Sequence, residues 1–233
     1  MRQKLLSITQ SFRIPAICSI CNQVNDGKLA VCPFCISLMP NLGSTCQQCA
    51  YPMADPQALI CGHCLKNPPK YTRAYIPYKY DEPLRSIIHQ FKYHKKLYFS
   101  SLLAHLMYQA YPDITGNPQC LIPMPLHPRR LKQRGFNQTI LLAKLLSKKI
   151  QLPYDIDSCQ KIINTTPQAH LTGNQRTNNM HKAFYTKPMP YSHVLIIDDL
   201  LTTGNTANAL AISLKKSGVE RVDVWCCARA IYR

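Results

Sequence analysis

Acidic residues are the scarce component of this 233-residue chain: 11 Asp and Glu stand against 28 Lys and Arg, a formal net charge of +17. The shortage makes every cluster of carboxylates conspicuous. An excess of this size favours encounters with polyanions such as phosphates, nucleic acid or anionic lipid, but it neither chooses among them nor bears on fold. A solvated basic surface accounts for the charge equally well. Long apolar runs are lacking too. MRQKLLSITQSFRIPAICSIC has two early basic residues but no apolar stretch of signal-peptide length, and no later segment approaches a membrane span. A cytoplasmic location is expected, and there the thiols stay reduced, which argues against a disulfide framework.

Large apolar residues are few between residue 18 and about residue 70, and a segment of that size seldom stabilises itself by burial alone. What it has instead is cysteine. Of 12 cysteines, eight form four successive CxxC pairs: Cys18 and Cys21, Cys32 and Cys35, Cys46 and Cys49, Cys61 and Cys64. Each pair can grip a metal from one knuckle turn, and two pairs complete a tetrahedral four-sulfur site with no position open to water, so the zinc implied is structural. Such sites supply about 10–16 kcal/mol of apparent binding free energy near neutral pH. Sequential pairing gives two sites with short linkers, while an interleaved arrangement stays open. A thioredoxin-like redox motif needs one pair after a strand, not four in tandem. His63, inside the last pair, is a bystander or a substitute ligand. Cys120, Cys159, Cys226 and Cys227 lie among core-forming runs and are read as packing residues.

A zinc-ribbon module over 1–70 and an α/β domain over 71–233 follow, with the proline- and tyrosine-rich NPPKYTRAYIPYKY between them. Asp81 is placed to cap a helix carrying Leu84, Ile87, Ile88 and Phe91 on one face, with Pro83 in its first turn. A second apolar-striped segment runs from about Leu97 to Met107, and CLIP reads as a short buried strand. The loop PMPLHPRRLKQRGFNQ then gathers Arg129, Arg130, Lys132 and Arg134. Gly135, Phe136, Asn137 and Gln138 give it the character of a shaped anion-binding loop, ahead of a helix with Ile140, Leu141 and Leu145 toward the core.

The most informative segment is HVLIIDDLLTTGNTANALAISLKKSG. A continuous Val-Leu-Ile-Ile run fits a parallel strand buried on both faces, and ligands of open α/β sheets collect beyond the carboxyl ends of such strands. Asp198 and Asp199 stand there. Adjacent carboxylates repel and lose hydration unless hydroxyls, cations or water satisfy them, so their placement asks for a function, and ribose hydroxyls would serve. Thr202, Thr203, Gly204, Asn205 and Thr206 then offer backbone N–H groups and hydroxyls at a helix N-terminus, where a phosphate dianion is favoured. The helix turns Ala207, Leu210, Ala211 and Leu214 inward and closes at Gly218, and RVDVWCCA supplies the next strand.

VLIIDDLLTTGNT resembles the 5-phosphoribosyl-1-pyrophosphate (PRPP) motif of type I phosphoribosyltransferases. Together with IPMPLHPRRLKQRGFNQ, the PQAHL…NQR…N…AF stretch and the tandem CxxC head, it resembles the ComF family of competence-associated phosphoribosyltransferase-like proteins over nearly the whole chain. The resemblance implies a parallel sheet flanked by helices. It also implies that Asp198 and Asp199 hold the ribose hydroxyls, that Thr202 to Thr206 cradle the 5-phosphate, and that Mg2+ bridges ribose and pyrophosphate. Arg129, Arg130, Arg134 and Lys92 become the expected partners of the pyrophosphate, and Gln168, Arg176 and Asn179 match a further family pattern. Lys161 replaces the family's usual arginine, and Leu201 is bulkier than its counterparts. Implied functions are PRPP binding with or without phosphoribosyl transfer, and the handling of imported single-stranded DNA with competence proteins at the inner face of the membrane. A nucleotide- or DNA-binding adaptor without turnover is the alternative.

Overall fold

The computed structural model describes residues 16–25, 27–109, 111, 114–163 and 183–231. Gln168, Arg176 and Asn179 lie outside these residues. The chain forms two compact units, one ending at Met39 and the other running from Pro40 to Arg233.

The first unit is a two-stranded antiparallel hairpin, β1 (Ala16–Ile17) and β2 (Val24–Asn25), followed by the one-turn helix α1 (Pro33–Ser37). Asn22 takes a left-handed backbone (φ 58°) to reverse the chain between the strands, a conformation that asparagine tolerates better than most residues. Among its described residues the buried apolar side chains are Cys18, Val31, Cys35 and Met39, two of them thiols.

The second unit begins with another cysteine knuckle and its helix α2 (Gly62–Lys66). Residues 67–80 then supply two short strands, β3 (Ala74–Tyr75) and β4 (Tyr78–Lys79), both parallel to the last strand of the chain. The remaining strands are β5 (Cys120–Pro123), β6 (Cys159–Lys161), β7 (Phe184–Thr186), β8 (His193–Leu201) and β9 (Arg221–Arg229). The main sheet runs β3-β9-β8-β5 with β4 also on β9, every pairing parallel; β6 and β7 form a separate antiparallel hairpin. Helices α3 (Leu84–Tyr93), α4 (Phe99–Tyr108), α5 (Pro128–Arg134), α6 (Gln138–Ile150) and α7 (Asn205–Lys216) flank it. Helices α4 and α6 pack on each other and on the sheet, and α7 packs on β9 and β7. The α/β architecture expected from the sequence is present. Its central strands are nearly continuous apolar runs because helices cover both faces.

Four local readings change. Asp81 is not the cap of α3: its carboxylate accepts only from Glu82 N (2.9 Å), while Glu82 receives Ser86 N (3.3 Å) and Arg85 Nε (2.8 Å). The four apolar residues predicted for that helix are nonetheless its buried face. The basic loop is helical at its centre. His127 Nδ1 accepts from Arg129 N (3.2 Å), Pro128 occupies the first turn, and Gly135 closes α5 at φ 83°, the left-handed conformation that glycine adopts without strain. On α6 the buried stripe is Thr139, Leu142, Ala143 and Leu146 rather than Ile140, Leu141 and Leu145. The shift is imposed at the helix start, where Asn137 caps Thr139 N (3.1 Å) and Thr139 Oγ1 donates to Met124 O (2.8 Å). Finally, β8 continues two residues past its acid pair, to Leu201 opposite Arg229.

The displaced stripe has a measurable consequence. Leu142→Ala is expected to lose about 2–5 kcal/mol in urea unfolding, the range for emptying a core leucine site, and Leu141→Ala less than half of that. Equal losses would restore the face read from the sequence.

Candidate phosphate-loop site and cysteine centres

Side chains alternate along a strand, and in β8 this separates the two acids. Val194 and Ile196 join the core cluster that contains the α7 residues Leu210 and Leu214, and Asp198 has their parity. Asp199, fully buried, faces α3 and α6 instead. There the Lys92 ammonium forms an ion pair with its Oδ2, and Gln138 Nε2 donates to its Oδ1 (3.3 Å). Gln138 in turn accepts from Arg134 Nη1 (2.5 Å), and the Arg134 guanidinium lies 5.3 Å from the centre of the Tyr93 ring. Two of the four basic residues expected near a pyrophosphate are therefore organised around the acid pair. Arg129 is exposed and Arg130 half-buried on α5.

The electrostatics follow from this division. Burial opposes the charges of both Asp199 and Lys92, yet each is outweighed by the other: Asp199 is held below the usual carboxylate range and Lys92 above the usual amine range. Asp198 carries the cost. Burial first, and then the charge of Asp199, push it up to about 8. Lys161, on β6, is near enough for Asp198 to favour its charge, although burial and the repulsion of Arg130 pull it down overall. Lys161 also borders a cavity of about 430 Å³ beyond the end of β5, together with Pro123, His127 and Asn137.

Beyond the acids, Thr202, Thr203 and Asn205 are exposed and Thr206 half-buried. Gly204 turns the chain into α7 with φ 80°. A side chain there would be strained, and its Cβ would come within 3.3 Å of Tyr71 Oη. Five consecutive residues, Thr202 to Thr206, thus occupy the N-terminus of a three-turn helix at the carboxyl end of a central strand, as predicted.

One contributor escaped the sequence reading. Arg229, at the end of β9, is 7% exposed. It donates from Nε to Cys49 O (3.0 Å) and from Nη1 to the carbonyls of Leu201 (3.1 Å), Ala230 (2.8 Å) and Thr202. The Leu201–Thr202 turn and the second cysteine knuckle are held by one guanidinium. A lone arginine closing an apolar run gives no sign of this.

The cysteines resolve into two sets, Cys18, Cys21, Cys32 and Cys35, and Cys46, Cys49, Cys61 and Cys64, with the sulfurs of each set within 4.8 Å of one another. Pairing is sequential, and the interleaved alternative is excluded. A Zn–S bond of about 2.3 Å in tetrahedral geometry demands S···S edges of about 3.8 Å. Cys21 and Cys32 stand 3.8 Å apart and Cys49 and Cys61 3.7 Å. Backbone N–H groups point at the knuckle sulfurs, Cys32 N at Cys18 Sγ (3.4 Å) and Cys61 N at Cys46 Sγ (3.3 Å), as thiolate ligands require. Both sets could hold structural zinc. His63 is exposed and belongs to neither ligand set. Cys120, Cys159, Cys226 and Cys227 are buried packing residues.

Fold and site together define an α/β protein with a parallel central sheet flanked by helices and two four-cysteine centres. No family model matches the chain. It is 32% identical to DNA utilization protein YhgH of Salmonella typhimurium and 31% identical to the Escherichia coli K12 protein of the same name, each over 225 residues covering 94% of this chain and 99% of the relative. It is 35% identical to competence protein F of Haemophilus influenzae over 179 residues, 73% of this chain and 78% of that protein. The chain belongs to the family of these proteins, the ComF family. No helix among the described residues is long and apolar enough to cross a membrane.

The state of Asp198 can be read from stability. An unfolded aspartate titrates near 3.9. Between there and about 8 the folded chain keeps a proton that the unfolded chain has released, so this group lowers stability progressively as pH rises through that window. Asp198→Asn should therefore raise the Tm of the ligand-free protein, by more at about pH 7.5 than at about pH 5. Scanning calorimetry at the two pH values checks this, and a variant less stable than the parent at the higher pH contradicts it.

Proposed function

We propose that this protein binds PRPP at the carboxyl end of its sheet, as a phosphoribosyltransferase-like protein of the ComF type, and that it acts in the handling of imported single-stranded DNA. The observation that carries the ligand is the continuity of β8, Asp198, the left-handed Gly204 and the N-terminus of α7 with its exposed Thr202, Thr203 and Asn205. In this reading Thr202 to Thr206 take the 5-phosphate, whose charge the helix terminus favours.

The two acids divide the work. Asp199 is neutralised by Lys92 and fixes α3 and α6 around the site, so it shapes the ribose pocket chiefly through position. Asp198 accepts from the ribose hydroxyls. A carboxyl pushed up to about 8 by burial and a neighbouring charge also fits a divalent cation, which would relieve the cost of its ionisation. Magnesium would meet one protein carboxylate there, with its remaining oxygens from ligand and water. Arg129, Arg130 and Arg134 on α5 give the pyrophosphate side a positive field, while the charge of Lys92 is matched by Asp199. Binding is what this arrangement supports directly. Transfer would break the C1–oxygen bond, the electron pair leaving with pyrophosphate, as a bond forms from C1 to an acceptor.

Isothermal calorimetry of the zinc-loaded protein with PRPP and Mg2+ tests the reading. Saturable binding is expected, weakened roughly 10–100-fold in Asp198→Asn by loss of charge-assisted hydrogen bonds. A folded parent that does not bind, or a variant that binds equally, overturns it. Pyrophosphate release with bases, nucleotides and single-stranded ends as acceptors separates an enzyme from a binding module.

The DNA role rests on the relatives' names, competence and DNA utilization, and on one surface of this chain. Tyr93 and Tyr98 are 63% and 50% exposed, with Lys95 and Lys96 between them and Arg134 against the Tyr93 ring. Aromatic faces among cations are how proteins hold single strands without reading sequence. Affinity for a single-stranded oligonucleotide is expected to fall steeply between about 50 and 200 mM salt, with a shallower slope than the roughly 10³–10⁵-fold loss of a duplex binder making 6–10 phosphate contacts. Tyr93→Ala should weaken it further by roughly tenfold. Binding that ignores salt and the substitution removes direct DNA contact from the account.

A further inference from the structure

The second cysteine set and the turn ahead of α7 are joined at three points. Cys49 supplies one of the four sulfurs, and its own carbonyl accepts from Arg229 Nε (3.0 Å). Nη1 of the same guanidinium donates to Leu201 O (3.1 Å), Thr202 O and Ala230 O (2.8 Å). The backbone N–H of Lys70 donates to Asn208 Oδ1 in α7 (2.7 Å), and Tyr71 Oη lies where it would crowd a side chain at Gly204.

These joints differ in what a metal controls. Lys70 and Tyr71 follow the last sulfur ligand, Cys64, and the chain there is already fastened to the sheet, Thr72 N donating to Val222 O (2.7 Å) and Arg73 N to Asp223 Oδ1 (3.1 Å). They hold whatever the state of the cysteines. Arg229 alone ends on a ligand residue. The knuckle's own buried cluster is Cys46, Cys49 and Cys64, so little besides metal–sulfur bonds keeps the Cys49 carbonyl in place. The Arg229 guanidinium also lies 5.9 Å from the centre of the Tyr51 ring, whose residue closes the same knuckle by accepting from Cys46 N (2.8 Å). A guanidinium is planar and rigid, so losing the partner on one edge turns the other edge too. That other edge holds Leu201 and Thr202.

We propose that Arg229 is a positioning residue through which the metal state of the second cysteine set regulates phosphate affinity at the Thr202–Thr206 turn. The regulation rests on the reading of that turn as a phosphate site, whereas the link from Cys49 to Leu201 and Thr202 stands apart from it. Coupling of this kind is reciprocal: a phosphate that steadies the turn also steadies Cys49, and so tightens the hold on zinc. The first cysteine set lies in the other unit, and its zinc serves as the internal control.

Two measurements on the full-length chain separate the link from the ligand reading. The first uses the Cys18→Ser, Cys21→Ser variant, which keeps only the second centre, without any phosphate. Stripping its zinc with a chelator should quicken exchange of the Ala230 amide, which is bonded to Leu201 O (2.9 Å), at least roughly tenfold, with residues 194–197 of β8 still protected. Unchanged exchange at Ala230 overturns the link, and so does exchange that rises equally along β8, the mark of general unfolding. The second measures zinc affinity by competition with a chromogenic chelator. Saturating ribose 5-phosphate should raise the affinity of the second centre roughly 5–150-fold, zinc should raise ribose 5-phosphate affinity by the same factor, and the first centre should not respond. Arg229→Lys keeps the charge but not the fork and should bring the factor to about one. A factor near one with Arg229 in place, an equal response of the first centre, or a factor that survives Arg229→Lys overturns the proposal; the first two decide it even where the variant does not fold. Failure of ribose 5-phosphate to bind in either metal state removes the phosphate reading and the regulation with it, and amide exchange then still tells whether the link exists.

Discussion

Placing two adjacent carboxylates at the end of an otherwise apolar parallel strand is the constraint around which the second unit is built. A charge buried there is costly unless it is paired and hydrogen-bonded. Asp199 obtains its partners from two helices distant in sequence: Lys92, at the end of α3, and Gln138, at the start of α6. That requirement fixes where both helices approach β8. It also accounts for the register of α6, whose first residues are held by Asn137, Gln138 and Thr139 before the apolar stripe begins. With Asp199 satisfied, its neighbour on the opposite face is left short of partners and is raised toward neutrality. A motif of two identical residues thereby becomes one paired anion and one carboxyl whose charge burial opposes.

The second organising contact is Arg229. Its guanidinium satisfies carbonyls of Cys49, Leu201, Thr202 and Ala230, and buried carbonyls without partners would be costly. Leu42, Ala50 and Tyr71 join the sheet's own core cluster, and residues 67–80 contribute β3 and β4 to the sheet. The second four-cysteine set is therefore continuous with the α/β fold, whereas the first set lies in a unit of its own.

Much of the architecture was legible from local pattern. CLIP and RVDVWCCA formed strands, Leu84, Ile87, Ile88 and Phe91 formed a buried helix face, and a helix follows the Thr-Thr-Gly turn. These depend on period and backbone conformation, which neighbouring residues reveal. Where the reading missed, long-range contacts had decided. The α6 stripe moved because its first turn is tied to Met124 and Asp199. The strand β8 outlasted its acid pair because Leu200 and Leu201 pair with Ala228 and Arg229. Pro83 takes the N-cap position of α3, and the carboxylate that reaches the first turn is that of Glu82, not Asp81, a choice that spacing does not make.

The sequence by itself determined the inventory: eight cysteines in knuckle spacing, an apolar strand ending in two acids, a glycine turn and a helix, and a strong excess of positive charge. Each is a property of contiguous residues, where spacing alone constrains chemistry. Only the tertiary structure decided how that inventory is shared. Strand alternation sent Asp198 and Asp199 to opposite faces, Lys92 and Gln138 selected Asp199, and Arg229 bound the second cysteine knuckle to the turn before α7. Those outcomes depend on which buried charges and carbonyls meet between segments distant in the chain, and burial, not adjacency, sets their energies.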